Sequence, residues 1–448
     1  MADNSRGAGG KGRNGVSGRA VPSSRVGRFA RVARMAGGVA GGMVAEGARQ
    51  LRAGKRPRTR DLLLTPSNAR RVTRHLSEMR GAAMKLGQIL SMDSGEFLPR
   101  ELTEILSNLR ESAHAMPEEQ LEAALAEAYG SDWAQHFRVF DRYPIAAASI
   151  GQVHRAVDHD GRELALKIQY PGVSRSIASD VDNIATLLRI AGLLPETVDI
   201  QPLLDDAKRQ LEDEADYLKE AQHLERFSAV LGDDERFVLP RLVPSLTRRN
   251  ILAMSYVAGG PIEAIARRPQ AERDRVMTAL VELMLTELFE MGLVQTDPNF
   301  ANYQYRWASR EIVLLDFGAT REFRRSFVNN YRRLALAAMR GDRAAMVRAA
   351  EKVGYAMGDE DSHYRRLVLE LLLAGMEPLC RDEDYDFGSS QMPQRVAALG
   401  QEATEYADFW HAPPTDVVYF HRKIGGMFLL AARMGARVNA HRLMARWV

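Results

Sequence analysis

Asp297, Asn302 and Asp316 stand in an order that suits phosphoryl transfer from a magnesium-bound nucleotide. The first two lie five residues apart in "TDPNFAN", just after the apolar or near-neutral Met291, Gly292, Leu293 and Val294. Fourteen positions after Asn302, a second apolar run ends in "LLDFG", which contains Asp316. In such chemistry one carboxylate orients or deprotonates the acceptor. An asparagine oxygen and a second carboxylate hold Mg²⁺, which offsets charge developing on the γ-phosphate. Two Asx turns bent by Pro298 would account for "TDPNFAN" alone, but not for an Asp-Phe-Gly at this distance.

A site of this kind also needs a cation for the nucleotide phosphates. Lys167 sits in "LALKIQY", an apolar strand with no use for an ammonium group unless it meets an anion. Its expected partners are the α- and β-phosphates and a glutamate of a following helix. Glu214 and Glu220 both qualify, in the helical segment "LLDDAKRQLEDEADYLKEAQHLERF". Treated as one regular helix, that segment puts Asp216 and Glu220 on a shared face and Glu214 about 120° to 160° away. It can therefore address two different basic groups.

Upstream, "AAASIGQV" occupies the place where a glycine-rich loop would cover the phosphates. Ala146, Ala147, Ala148 and Ser149 replace residues that would let the backbone approach phosphate freely, so the loop is expected to be stiff and its nucleotide preference altered. Farther upstream, "KLGQ" places Lys85 and Gln88 on one helical face with Gly87 between them. The spacing alone fits a lysine snorkelling from a packed helix equally well.

The elements that must position these residues follow in order. Residues 67–92, 101–111 and 117–130 read as helices, the last opened by Pro117 with Glu118 and Glu119 in its first turn. From "FRVFDRYP" to "KIQYPGV" the pattern becomes β-branched and alternating, with an Asp160-Gly161 turn, which predicts a strand hairpin. Helix returns over 174–230, strands over 249–256 and 311–316, and helix beyond about 325. Strands, a long helix and then a mostly helical half give the layout of a kinase small lobe followed by its large lobe, with a hinge at "VAGGP", 257–261. The predicted class is α+β, an atypical protein-kinase-like two-lobed fold with an N-terminal helical extension and a mostly helical C-lobe.

Composition frames the rest. A chain of 448 residues with 46% hydrophobic and 27% charged residues is ordinary globular material with enough length for more than one core. The single cysteine, Cys380, excludes an internal disulfide or a cysteine zinc site and points to a reducing compartment. Fourteen Lys or Arg in residues 1–60 face only Asp3 and Glu46, whereas the whole chain carries +3, so the remainder is acidic. That arm favours anionic surfaces such as phospholipid headgroups. Residues 1–24 are expected to be disordered, and 25–60, with Gly37, Gly38, Gly41 and Gly42 in a weakly apolar run, to associate with a membrane without spanning it. The basic arm carries no aromatics interleaved with its charge beyond Phe29, so nucleic acid is not an expected partner. The expected divisions are 61–135 for the helical extension, 136–258 for the N-lobe and 259–448 for the C-lobe.

Taken together, "KLGQ", "AAASIGQVH", "LALKIQYPGV", "EADYLKEA", "QTDPNFANY" and "LLDFG" resemble the UbiB/AarF family of atypical protein-kinase-like proteins, in particular its coenzyme Q branch. The resemblance covers roughly 25–440. It implies that Lys85, Gly87 and Gln88 form an inhibitory, substrate-occluding element, with Glu214 and Asp216 as the acidic motif facing it. Glu220 is then the partner of Lys167, Asp297 the catalytic carboxylate, and Asn302 and Asp316 the metal ligands. The alanine-rich loop is implied to favour ADP and to suppress ordinary kinase activity.

The resemblance further implies ATP or ADP with Mg²⁺ as cofactors and an ATPase stimulated by membranes and quinone-precursor-like lipids. Partners would be anionic lipids, quinone precursors or ubiquinone-biosynthesis proteins, and a homodimer stays open. The expected location is peripheral on a bacterial membrane facing the cytoplasm, or the matrix face of the mitochondrial inner membrane. "TDPNFAN" departs from the "ADPHPGN" of many relatives, yet it retains Asp297 and Asn302. With no Ala-Pro-Glu after Gly318, a peptide-binding activation segment and protein phosphorylation in trans are not expected. Two other readings compete: a non-catalytic nucleotide-binding scaffold, and a small-molecule phosphotransferase, which the "KLGQ" helix would obstruct.

Overall fold

The computed structural model describes residues 116–190, 201–359, 362–404 and 414–448. The basic arm, the expected helices over 67–92 and 101–111, and Lys85, Gly87 and Gln88 lie outside the described residues.

The first lobe is built on an antiparallel sheet. Helix α1 (Glu118–Tyr129) leads to strands β1 (Val139–Phe140), β2 (Ala146–Ala147), β3 (Gly151–Val157) and β4 (Glu163–Gln169). With β6 (Ile251–Ser255) the sheet runs β1-β3-β4-β6, and β2 lies beside β3. The predicted hairpin turns at Asp160-Gly161, where Gly161 adopts a φ of +82°. Strand β4 is buried along nearly its whole length because both faces are covered. Leu164, Leu166 and Ile168 share one core with Leu121 and Leu125 of α1 and with Trp133 and Phe137. Ala165 projects into the main core on the opposite face. Lys167 has the same parity as Ala165, and that parity aims its ammonium into the protein.

Against that face lie α2 (Val173–Ile190), α3 (Gln201–Glu214) and α4 (Tyr217–Leu231). Beyond them a second sheet runs in the order β5 (Phe237–Val238), β10 (Glu311–Leu314), β9 (Tyr303–Arg306), β7 (Gly260–Pro261). Helix α5 (Gln270–Thr286) continues into a π-helical turn, Glu287–Met291, which Gly292 ends at a φ of +59°. That left-handed turn feeds β8 (Leu293–Gln295), which pairs with β11 (Thr320–Glu322) through Gln295↔Thr320. The "TDPNFAN" loop leaves the end of β8 and closes with a 3₁₀ turn, Phe300–Asn302.

The remainder is mostly helical: α6 (Arg325–Met339), α7 (Arg343–Val353), α8 (His363–Gly375), α9 (Met392–Thr404), α10 (Thr415–Met434) and the short α11 (Ala440–Met444). Within it, β12 (Tyr385–Asp386) pairs with β13 (Arg437–Val438). A two-residue ladder is too short to leave an alternating pattern, which is why only helix was expected there. Among the described residues, no helix is long and apolar enough to cross a membrane.

Candidate active site

The site is organised around one buried ammonium. Lys167 Nζ lies 2.8 Å from Glu220 Oε1 and 2.9 Å from Oε2, and 3.3 Å from Asp316 Oδ2. It also stands over the Tyr217 ring, 5.2 Å from the centroid. The Lys167 and Glu220 side chains are 8% and 1% exposed, whereas Asp316 is 33% exposed and remains reachable from solvent. Burial disfavours charge on Lys167, but Asp316 and Glu220 outweigh that penalty and hold the ammonium well above the usual lysine range. Burial pushes the Glu220 carboxyl up to about 7, against the opposing pull of Lys167. The lysine is thus held charged beside two carboxylates, poised for further anionic oxygens.

Read as one regular helix, 203–227 shares a face between Asp216 and Glu220; the structure corrects this. The helix breaks at Ala215-Asp216, giving α3 and α4. Asp216 leaves the helical region with φ −108° and ψ 90° and caps α4 by accepting from the Leu218 N–H. The break is stabilised from β4, where Gln169 Nε2 donates to the Ala215 carbonyl over 2.9 Å. Asp216 Oδ2 also takes Arg249 Nη2 at 2.8 Å, whereas Glu220 turns inward to Lys167. Glu214, the last residue of α3, is buried and accepts from Gln210 Nε2 at 3.3 Å. Replacing Asp216 by Ala should lower the unfolding free energy by about 1 kcal/mol, the usual worth of an N-cap, and Asp216→Asn should retain most of it. Equilibrium denaturation of the two variants measures the difference; equal losses would show that the cap contributes nothing.

The 296–302 loop and the Asp-Phe-Gly segment are tied to each other. Leu315 N–H donates to the Asn302 carbonyl over 3.1 Å, setting Asp316 one residue from that link. The Thr296 N–H and hydroxyl both donate to the Ala319 carbonyl, at 2.9 and 2.8 Å. Asp297 Oδ1 accepts the Asn299 N–H at 3.2 Å, an Asx turn. Asp316 Oδ1 likewise accepts the Gly318 N–H at 2.9 Å. Gly318 packs closely on this cluster, and a β-carbon there would stand 3.1 Å from Glu220 Oε2, a tight contact. The structure therefore gathers Lys167, Glu220 and Asp316 directly and brings Asn302 to them through Leu315.

Among the described residues, no group of three His, Cys, Asp or Glu could hold a metal. Asn302 and Asp316 nevertheless fit Mg²⁺, which takes one or two hard oxygen ligands from protein and completes its shell with water and phosphate. The Asn302 side-chain nitrogen is buried without a hydrogen-bond partner, so no protein acceptor fixes the amide. The alanine loop forms a tight tip, where Ala146 pairs with Val153, Ala147 with Gln152, and Ala148 N–H donates to the Gly151 carbonyl over 2.9 Å. Ile150, 2% exposed, accepts from the Tyr170 N–H at 2.9 Å and pins the tip to the end of β4. Gly151 is required by that approach: a β-carbon would stand 2.4 Å from the Ile168 carbonyl oxygen.

Three contributors were not picked out from sequence. Tyr217 places its ring under Lys167, and it sits three residues before Glu220, a helical-face spacing that could have flagged it. His223 Nδ1 lies 3.2 Å from the Phe317 carbonyl, one turn beyond Glu220. Lys423 follows His421 and Arg422 in "YFHRKIGGMFLL", so its charge does not stand out from its neighbours in sequence.

Comparison with known proteins shows the family and the fold. The ABC1 atypical kinase-like domain matches residues 108–350. "Atypical kinase COQ8, mitochondrial" of Saccharomyces cerevisiae is 37% identical over 425 residues, covering 94% of this chain and 84% of its own length. "Atypical kinase COQ8B, mitochondrial" of Rattus norvegicus is 35% identical over 427 residues, covering 94% of this chain and 80% of its own. Among solved structures, the complex of Rv3197 with erythromycin from Mycobacterium tuberculosis superimposes with a TM-score of 0.59 at 25% identity, over 85% of this chain and 96% of that one.

Proposed function

The chain belongs to the ABC1 atypical kinase-like family, with COQ8 atypical kinases among its relatives, and from that premise we propose that it is an Mg²⁺-dependent ATPase supporting coenzyme Q biosynthesis at a membrane surface. The observation that carries this reading is the convergence of Glu220 and the Asp316 of "LLDFG" on one buried ammonium, Lys167. Lys167 holds the α- and β-phosphates, and Glu220 keeps it in place. Asn302 and Asp316 hold the metal, which when bound neutralises charge on the transferred phosphoryl group. Asp297 orients the attacking water or other acceptor. Ala146, Ala147, Ala148 and Ser149 cover the nucleotide with a stiff backbone that favours ADP and slows turnover. Lys85, Gly87 and Gln88 are the element that excludes a peptide acceptor, and the energy of hydrolysis serves the handling of lipid quinone precursors.

The basic segment 25–60 brings the chain to anionic lipid. Both relatives carry "mitochondrial" in their names, which supports the mitochondrial alternative for the location. Phosphate release from Mg-ATP, measured with and without phosphatidylglycerol vesicles, tests this function. Hydrolysis that rises with vesicles supports it. Nucleotide binding with no hydrolysis under either condition would replace it with a nucleotide-switched scaffold.

A further inference from the structure

We propose that Lys423 is a positioning residue that fixes the 296–302 loop from both of its ends, a role resting on the reading of that loop as the carrier of Asp297 and Asn302. Lys423 lies on α10 and is 1% exposed. Its Nζ is 3.0 Å from Glu287 Oε2 and 3.2 Å from Oε1, and it donates to the Tyr303 hydroxyl over 3.0 Å. Each partner flanks the loop. Glu287 begins the π-helical turn that leads into β8, and Gln295, which ends β8, accepts the Asp297 N–H through Oε1 at 3.1 Å. Tyr303 directly follows Asn302. One ammonium thus ties the turn that leads into the loop, through Glu287, to Tyr303, the residue that follows Asn302.

The same helix also bears on the middle of the loop. Gly426 is three residues beyond Lys423, on the same helical face, and a β-carbon there would stand 2.5 Å from Pro298 Cβ. Glycine in a helix interior is destabilising relative to alanine, so this close approach gives the residue its reason. A buried ion pair is likewise a weak source of stability, because apolar residues of the same size often serve as well or better. What an apolar replacement cannot reproduce is direction: two fixed hydrogen-bonding partners on opposite flanks of one loop. Burial disfavours the Lys423 ammonium, and Glu287 and Tyr303 hold it protonated above the usual lysine range, so the clamp stays charged at neutral pH.

The test separates positioning from bulk stability. Lys423→Met alone strands the Glu287 carboxylate and should destabilise the fold. The double variant Lys423→Met, Glu287→Met removes both charges and should recover the melting temperature. Positioning predicts that in the double variant kcat for Mg-ATP stays depressed about 10²-fold with KM within about twofold, the scale expected when a reacting group moves by about 1 Å. Hydrogen exchange of amides 296–302 should be faster than in the wild type. Gly426→Ala, whose β-carbon would push Pro298 aside, should lower kcat as well, together with some loss of stability from the overpacking. Recovery of kcat together with the melting temperature, or unchanged exchange in the loop, would overturn the proposal. The wild-type assay keeps the two ideas apart: an inactive wild type counts against the ATPase reading, while the exchange rates still decide whether Lys423 holds the loop.

Discussion

Asp316→Asn is expected to reduce Mg-dependent hydrolysis by about 10²–10³-fold, the usual loss when one charge-stabilising group is removed from a transition state. The substitution preserves size and can still accept the Gly318 N–H, which Oδ1 takes at 2.9 Å in the native protein. What it removes is charge, in two places. Asn302 would be left as the loop's oxygen donor without an anionic partner, weakening the hold on Mg²⁺. Lys167 would also lose the closer-to-solvent of its two carboxylates, 3.3 Å away, while keeping Glu220. Nucleotide affinity in EDTA should therefore change little, and the gain in affinity on adding Mg²⁺ should disappear. Measuring both in one titration checks the assignment; a variant that retains the Mg²⁺ gain would remove Asp316 from the metal site.

Lys167→Met is expected to abolish nucleotide binding and to destabilise the protein in a pH-dependent way. Breaking a buried pair costs on the order of 3–5 kcal/mol when the remaining charge stays uncompensated. Here the remaining group can escape by taking up a proton. Glu220 already titrates at about 7 rather than 4.5 with Lys167 present, because burial opposes its charge, and without the lysine it should titrate higher still. A carboxyl whose folded value is raised favours folding while it is protonated, and that advantage is lost as pH rises through the folded value. The deficit of Lys167→Met relative to wild type should accordingly be smallest near pH 5 and grow above pH 7. Lys167→Met, Glu220→Gln should flatten that dependence. Urea unfolding at pH 5, 7 and 8 reads the sign directly, and a deficit that shrinks as pH rises would contradict the account.

How much of this was legible in the sequence follows from what local pattern can encode. Lys167 was recognisable because an ammonium in an apolar strand needs an anion, and a strand buried on both faces gave it no route to solvent. Asp297, Asn302 and Asp316 were recognisable because their order and spacing reflect a loop and an adjoining strand end. The partition of the acidic helix was not. It depends on a single residue leaving the helical region, and a regular-helix projection carries on past Asp216 without noticing that it caps α4. Lys423 was less visible still, since its partners Tyr303 and Glu287 lie 120 and 136 residues away and no periodicity reports which distant carboxylate a helix will face. Local chemistry was therefore readable, and long-range pairing required the fold.

The most direct test of the central claim is calorimetric titration of the purified full-length chain with ATP and with ADP, in Mg²⁺ and then in EDTA. If Lys167, Glu220, Asn302 and Asp316 form a metal-nucleotide site, at least one nucleotide binds with one-to-one stoichiometry in Mg²⁺, binding weakens sharply in EDTA, and Lys167→Met abolishes it. Binding that is indifferent to Mg²⁺ and to Lys167, or no binding at all, would contradict the account.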